Sequence, residues 1–114
     1  MNNLTGYYLA LNLQNDADKI STYVLYHQNL WTEIQDSLRH SGIISAEIFN
    51  IANRPFMISE AEPSFSFKRK TELDAVNEKV QKCKALMMNF QQKLPNSKPS
   101  EKWILMDKIY DLNN

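Results

Sequence analysis

IISAEIFNIANRPFMISEAE, residues 43–62, is the stretch of sequence that decides the fold class. Its first half, IISAEIFNI, is rich in β-branched and aromatic residues, and its second, PFMISEAE, begins with a short apolar run, so both are predicted to be strands. Between them lies the short turn Ala52-Asn53-Arg54, in which the asparagine tolerates a positive φ. The stretch therefore predicts a β-hairpin, which Pro63 closes.

Two further strands are expected near the ends of the chain. TGYYLALNL, from Thr5 to Leu13, is rich in tyrosine and aliphatic residues and stops at a polar cluster, Gln14-Asn15-Asp16. The closing segment KWILMDKIYDL, residues 102–112, is apolar enough for a central strand, and the loop PNSKPS, residues 95–100, precedes it. The sequence thus predicts four strands.

Two amphipathic helices separate these strands. The first is predicted over residues 16–41, where Ser41-Gly42 supplies the stop, and the second ends before Pro95. In both, apolar residues recur at helical spacing. They are Ile20, Tyr23, Leu30, Ile34 and Leu38 in the first helix and Leu73, Val76, Val80, Cys83, Met87 and Phe90 in the second.

The resulting order, β-α-β-β-α-β, predicts an α+β fold of the ferredoxin-like type: one domain over residues 1–114, with a four-stranded antiparallel sheet and two helices on one face. The strands are apolar at consecutive positions and hence on both faces of the sheet. Two helices cover only one face. We therefore expect a homodimer in which the other sheet faces of two copies form one barrel-like core.

Composition narrows the possible functions. Thirteen basic residues balance thirteen acidic ones, so the charge favours neither nucleic acid nor an anionic membrane as a partner. The basic triplet Lys68-Arg69-Lys70 is typical of a solvated helix start. The single Cys83 excludes an internal disulfide and favours a reducing, cytoplasmic setting. The N-terminal residues predict neither a signal peptide nor a membrane span.

His27 is the candidate for chemistry, because it lies four residues after Tyr23 and four before Trp31, on one side of the first predicted helix. The commoner interpretation of such a histidine is a core residue whose ring nitrogens are satisfied by a tyrosine hydroxyl or a carbonyl. The functional one is a general acid or base, since an ordinary histidine pKa of about 6.5 suits proton transfer near neutral pH. A metal site is not expected, because His40 cannot join His27 on one patch.

Other residues could line a site around His27. Trp31 and Trp103 could stack on a sugar ring, although both are also ordinary core residues. Glu47 and Glu60 could supply a carboxylate. Strand alternation places Glu47 away from the helices if its neighbours Ile44 and Ile48 belong to the core.

Three segments carry a family resemblance over nearly the whole chain. YVLYHQNLWTEI resembles the Tyr-x-x-x-His-x-x-x-Trp-x-Glu stretch of the L-rhamnose mutarotases, and SGIISAEIFN is similar to the strand that follows it. The ending PSEKWILMDKIYDL is similar to a subgroup sometimes labelled as acting on L-fucose as well. The resemblance implies a dimeric α/β barrel that interconverts the α and β anomers of a free deoxyhexose. Acid–base groups can perform this reaction, so we expect neither cofactor nor metal. His27 would be the proton donor, and Tyr23 would bind the sugar.

Two departures from the family pattern bear on this inference. Ala46 stands where the family has a sugar-contacting tyrosine, and Cys83 and Lys84 stand where it has paired tryptophans. We therefore expect an active enzyme with altered sugar preference. The alternatives are a non-catalytic dimeric module that binds a sugar or a protein, and, ranked last, a small monooxygenase of similar architecture with His27 as haem ligand.

Overall fold

A computed structural model describes residues 3–92 and 103–113. Its main sheet has four strands in the order β3-β4-β1-β6, all antiparallel, and β2 and β5 form a second, two-stranded sheet. The main sheet confirms the ferredoxin-like βαββαβ arrangement. In chain order the elements are β1 (Thr5–Ala10), β2 (Asn12–Leu13), α1 (Ala17–Gln28), α2 (Thr32–His40), β3 (Ile43–Ile51), β4 (Arg54–Ala61), α3 (Phe67–Ala75), α4 (Glu78–Met87), β5 (Gln91–Gln92) and β6 (Ile104–Leu105).

The predicted hairpin is the pair β3 and β4, which are in register from Ile51 opposite Arg54 to Ile43 opposite Ala61. One irregularity, between Ile43 and Ser45, shifts the pairing near the start of β3. The turn differs from the prediction, because the residue with positive φ is Ala52, at 52°, and not Asn53. Asn53 instead donates its side-chain amide to the backbone oxygen of Leu13 at 3.0 Å, which ties the turn to β2.

The sequence predicted two long helices, but the described residues contain four shorter ones. The first predicted helix is interrupted at residues 29–31, where the side chain of Asn29 donates to the Leu25 carbonyl at 3.3 Å. The second begins at Phe67 rather than near Leu73 and breaks at Asn77, whose side chain caps α4 by accepting from the backbone of Val80. Asparagine side chains compete with helical backbone bonds in this way, which explains both breaks.

The two terminal strands are shorter than predicted. The first is divided at Leu11, whose backbone N–H donates to Pro55 O at 3.1 Å outside the ladder. In the described part of the last strand, the paired residues are Ile104 and Leu105, which lie opposite Ala10 and Leu9 of β1. The predicted loop over residues 95–100 lies outside the described residues.

The helices cover one face of the main sheet. On that face Leu9, Ser59 and Ala61 are buried, whereas Tyr8 and Ile58, at alternate positions of β1 and β4, are 49% and 37% exposed. Two clusters form the core between sheet and helices. One consists of Leu11, Leu13, Tyr23 and Met87, and the other of Ile43, Ala61 and Phe65.

Candidate functional site

A cavity of about 660 Å³ lies between the α1–α2 segment and the helix-covered face of β3 and β4. This volume is within the range of small-molecule sites, and the cavity is open to solvent on one side. Its wall is mostly apolar, with scattered amides and hydroxyls. The lining residues are Tyr23, Val24, His27, Gln28, Leu30, Gln35, Leu38, Arg39, Ile43, Ile44, Ser45, Ala46, Ile48, Asn50, Pro55 and Met57.

His27 reaches the cavity from the last turn of α1 and is half-buried. Its Nδ1 lies 2.9 Å from the backbone oxygen of Tyr23, one helical turn earlier. A carbonyl can only accept, so Nδ1 carries the proton and donates it. In the neutral ring this leaves Nε2 with its lone pair, and Nε2 has no hydrogen-bond partner within residues 3–92 and 103–113. One ring nitrogen of His27 is thus satisfied by a carbonyl, as the core interpretation expects, and the other is unpartnered among the described residues.

The ring of Tyr23 packs against the imidazole of His27. Tyr23 is 2% exposed, and its ring centroid lies 4.3 Å from that of His27 at an interplanar angle of 36°. Burial raises the pKa of the Tyr23 hydroxyl well above its ordinary range, although the side-chain hydrogen bond with Gln91 opposes the rise. Tyr23 therefore remains a neutral phenol at physiological pH.

The cavity wall carries little charge. Among the described residues that line it, Arg39 is the one with a permanent charge, and its guanidinium lies 3.8 Å from the exposed carboxylate of Asp36. Glu47 and Glu60, the candidate carboxylates, do not line the cavity. Glu47 alternates with Ala46 and Ile48, which do, so it lies on the other face of the sheet, as strand alternation predicted.

The two tryptophans predicted to bind substrate are not brought to this cavity. The expectation that Trp31 shares one helix side with His27 is wrong, because α1 ends at Gln28 and Trp31 is the N-cap residue of α2, with φ −57° and ψ 137°. Trp103 packs against the core cluster that contains Tyr23 and Met87. Their contact with a sugar stays a prediction that the cavity does not support.

The structure shows what surrounds the three positions that depart from the family pattern. Ala46 lines the cavity, so the absence of a large side chain there leaves space. Cys83 packs against the core cluster around Tyr23, behind the cavity. Lys84 turns to the helical layer, where its Nζ lies 3.6 Å from the buried carboxylate of Asp74.

Sequence reasoning missed the polar part of the wall, above all Gln28, Gln35 and Asn50. A signal for one of them was present, because Asn50 lies two and four residues beyond Ile48 and Ala46 and therefore shares their face of β3. Gln35 had no such signal. It lies beyond the unexpected break between α1 and α2, and its amide donates to the carbonyl of Leu30 in that connection at 3.0 Å.

Comparison with known proteins assigns the family. A family model described as L-rhamnose mutarotase matches residues 7–112. The chain belongs to the L-rhamnose mutarotase family. An L-fucose mutarotase of Xanthomonas campestris is 34% identical over 106 residues, with 91% of this chain and 85% of the relative covered. A UPF0734 protein of Dictyostelium discoideum is 37% identical over 115 residues, covering 95% and 90%.

The solved structures agree on the fold. The crystal structure of an L-rhamnose mutarotase from Formosa agariphila superposes with a TM-score of 0.67, covering 95% of this chain and 98% of the other at 20% identity. In this member of the L-rhamnose mutarotase family, none of the helices within the described ranges is long and apolar enough to cross a membrane. Across the same ranges, no three histidine, cysteine or acidic side chains converge in a way that could hold a metal ion.

Proposed function

We propose that the protein is a sugar mutarotase that interconverts the α and β anomers of a free deoxyhexose of the L-rhamnose or L-fucose type. The observation that carries this proposal is the position of His27, which lines an open cavity with one ring nitrogen held by a carbonyl and the other unpartnered in the described structure. Family membership supports the reaction class, and the cavity supports the size of ligand.

Mutarotation requires few catalytic groups. Opening the sugar ring requires removal of the proton on the anomeric hydroxyl and protonation of the ring oxygen, and closure reverses both steps after rotation about one bond. In this proposal His27 transfers the protons, Tyr23 contributes to sugar binding at the cavity wall, and no cofactor or metal takes part. The apolar wall contributed by Ile48 and Met57 suits the C–H-rich faces of a deoxy sugar.

The test compares the two histidines of the chain. Anomer exchange of L-rhamnose and of L-fucose is measured by saturation-transfer proton NMR with wild type, His27→Ala and His40→Ala. We expect wild-type acceleration, a loss of at least about 100-fold in His27→Ala, and no loss in His40→Ala, whose residue lies at the end of α2 outside the cavity. Exchange in wild type that equals the protein-free rate for both sugars would reject the proposal.

The alternative is a non-catalytic module that binds a sugar or a protein. It is motivated by Ala46 and Cys83, which cannot stack on a ring as the family aromatics would. The comparisons do not favour it, since the family model and the Xanthomonas relative are both named for mutarotases. It predicts saturable sugar binding by titration calorimetry with no acceleration of anomer exchange.

We also propose that the protein works as a homodimer joined through the open sheet face. Support comes from large apolar side chains on that face, among them Tyr8, Phe49 and Ile58, at 49%, 55% and 37% exposure. Contiguous apolar surface of this kind is typical of a protein interface. A cytoplasmic location is part of the same proposal, since one cysteine in 114 residues suits a reducing compartment.

A further inference from the structure

Mutarotation needs both a base and an acid, and the cavity raises the question of which residue supplies the second group. Each element that lines it contributes few candidates. From α1 come Tyr23 and His27, from α2 comes Arg39, and the lining residues of β3 and β4 are apolar or carry neutral hydroxyl and amide groups. The remaining helices add only Cys83 nearby, which packs behind Tyr23 in the core.

Two of these candidates cannot exchange protons with a substrate near neutral pH. Arg39 keeps its proton at any physiological pH. Tyr23 is 2% exposed, its hydroxyl interacts with the Gln91 side chain, and burial opposes its ionisation. Among the described residues that line the cavity, His27 alone can both take up and release a proton there.

Within the His27 ring, only one nitrogen can exchange a proton with a ligand in the cavity. A relay through the ring would need Nδ1 to give up its proton to the sugar while Nε2 accepts another. Nδ1 is held 2.9 Å from the Tyr23 carbonyl inside α1, so its proton points away from any ligand in the cavity. This bond also fixes the ring orientation and the tautomer in which Nε2 is a base.

We propose that Nε2 of His27 is both the base and the acid of the reaction. This proposal rests on the mutarotase function proposed above. Nε2 first takes the proton from the anomeric hydroxyl oxygen, O1. The O1 electron pair forms the C1=O1 bond, the bond between C1 and the ring oxygen O5 breaks, and O5 receives the same proton from Nε2. The open-chain aldehyde rotates about C1–C2, and closure runs the transfers in reverse. O1 and O5 are both bonded to C1, so a single nitrogen can reach each in turn.

The pH dependence of the wild-type protein tests this inference. Anomer exchange of L-fucose or L-rhamnose is measured from pH 5 to pH 9, with the protein-free rate subtracted at each pH. A single nitrogen that must begin as a base predicts a rate that falls toward the acid end of this range and a plateau toward the alkaline end. A bell-shaped profile reports two essential groups and would overturn the inference. Absence of acceleration at every pH would instead reject the mutarotase function itself.

The number of protons that move in the rate-limiting step can be measured independently of the pH profile. With one nitrogen the transfers are sequential, so the rate should depend linearly on the fraction of D2O in the solvent. A bowed dependence means that two protons move together between separate groups, including a bound water, and contradicts the inference.

Tyr23→Phe separates His27 from the nearest other hydroxyl. The variant keeps the ring and the backbone carbonyl that holds Nδ1. We expect a changed KM, because Tyr23 lies at the sugar site, with kcat within about 10-fold of wild type and the single-limbed pH profile retained. A kcat loss of about 100-fold or more, the usual contribution of a general acid, would assign the second transfer to Tyr23.

Discussion

At the scale of single residues, the site depends on how Tyr23 is buried. The same side chain that stacks on His27 belongs to the core cluster with Leu11, Leu13 and Met87, so the candidate site and the core packing share one residue. Its backbone carbonyl holds the imidazole, and its ring supports it. Replacement of Tyr23 by a small residue would therefore remove both the core contact and the support of the ring.

The buried hydroxyl of Tyr23 makes stability depend on pH in the alkaline range. Its folded-state pKa is raised by burial above the ordinary value of 10.0, so the folded chain holds this proton more tightly than the unfolded chain. The contribution is fully present below pH 10 and is lost as the pH rises above it. Urea unfolding at pH 8 and pH 11 should show wild type losing roughly 1 kcal/mol more than Tyr23→Phe.

Tyr23→Phe controls for the other four tyrosines, because all four are present in both proteins. Parallel losses in wild type and Tyr23→Phe would mean that Tyr23 ionises as easily in the folded chain as in the unfolded one.

At the scale of elements, Asp74 connects three helices. Its carboxylate is 3% exposed and lies 2.6 Å from Nζ of Lys70 in α3 and 3.6 Å from that of Lys84 in α4, and Ser37 of α2 donates to it at 3.4 Å. The basic triplet predicted as a solvated helix start thus supplies one half-buried ion-pair partner, Lys70. Removing the charge of a buried carboxylate leaves its cationic partners without compensation.

Asp74→Asn therefore tests how the helical layer is held together. We expect a loss of about 2–3 kcal/mol in the free energy of unfolding, measured by urea denaturation, because the bonds to charged partners are lost in a nearly dry place. Asp36→Asn is the matched control. Its carboxylate is 70% exposed and lies 3.8 Å from Arg39, so the loss should be at most about 0.5 kcal/mol. Equal losses in the two variants would show that Asp74 does not hold the helices together.

The elements also show what the sequence could and could not predict. The order of strands and helices along the chain was predictable from apolar runs and helical spacing, which local physics sets. The helix breaks at Asn29 and Asn77 did not, because the apolar period continues across each break while a single side chain competes for backbone groups. For the site, His27 was predictable from its spacing. The opposite wall, with Ala46 and Met57, depends on strand register, which only long-range pairing decides.

At the scale of the whole molecule, the two faces of the sheet have different surroundings. Ile48 and Asn50 of β3 point to the cavity, and Phe49 between them lies on the other face opposite Phe56 of β4. The C-terminal residues beyond β6 add apolar surface, with Ile109 96% and Leu112 80% exposed. A second copy that covers this face would leave the cavity of each protomer accessible.

Phe49→Lys tests the dimer without touching the cavity. Phe49 is 55% exposed in the single chain, so lysine is tolerated by the isolated fold, but a charge buried between two sheet faces opposes association. We expect wild type to sediment as two copies and Phe49→Lys as one, with the same circular dichroism spectrum. Val76→Lys is the matched control, because Val76 is 83% exposed at the α3–α4 break, and it should remain dimeric. Dimers of equal affinity in all three proteins would show that association does not use this sheet face, and a wild-type monomer would reject the dimer altogether.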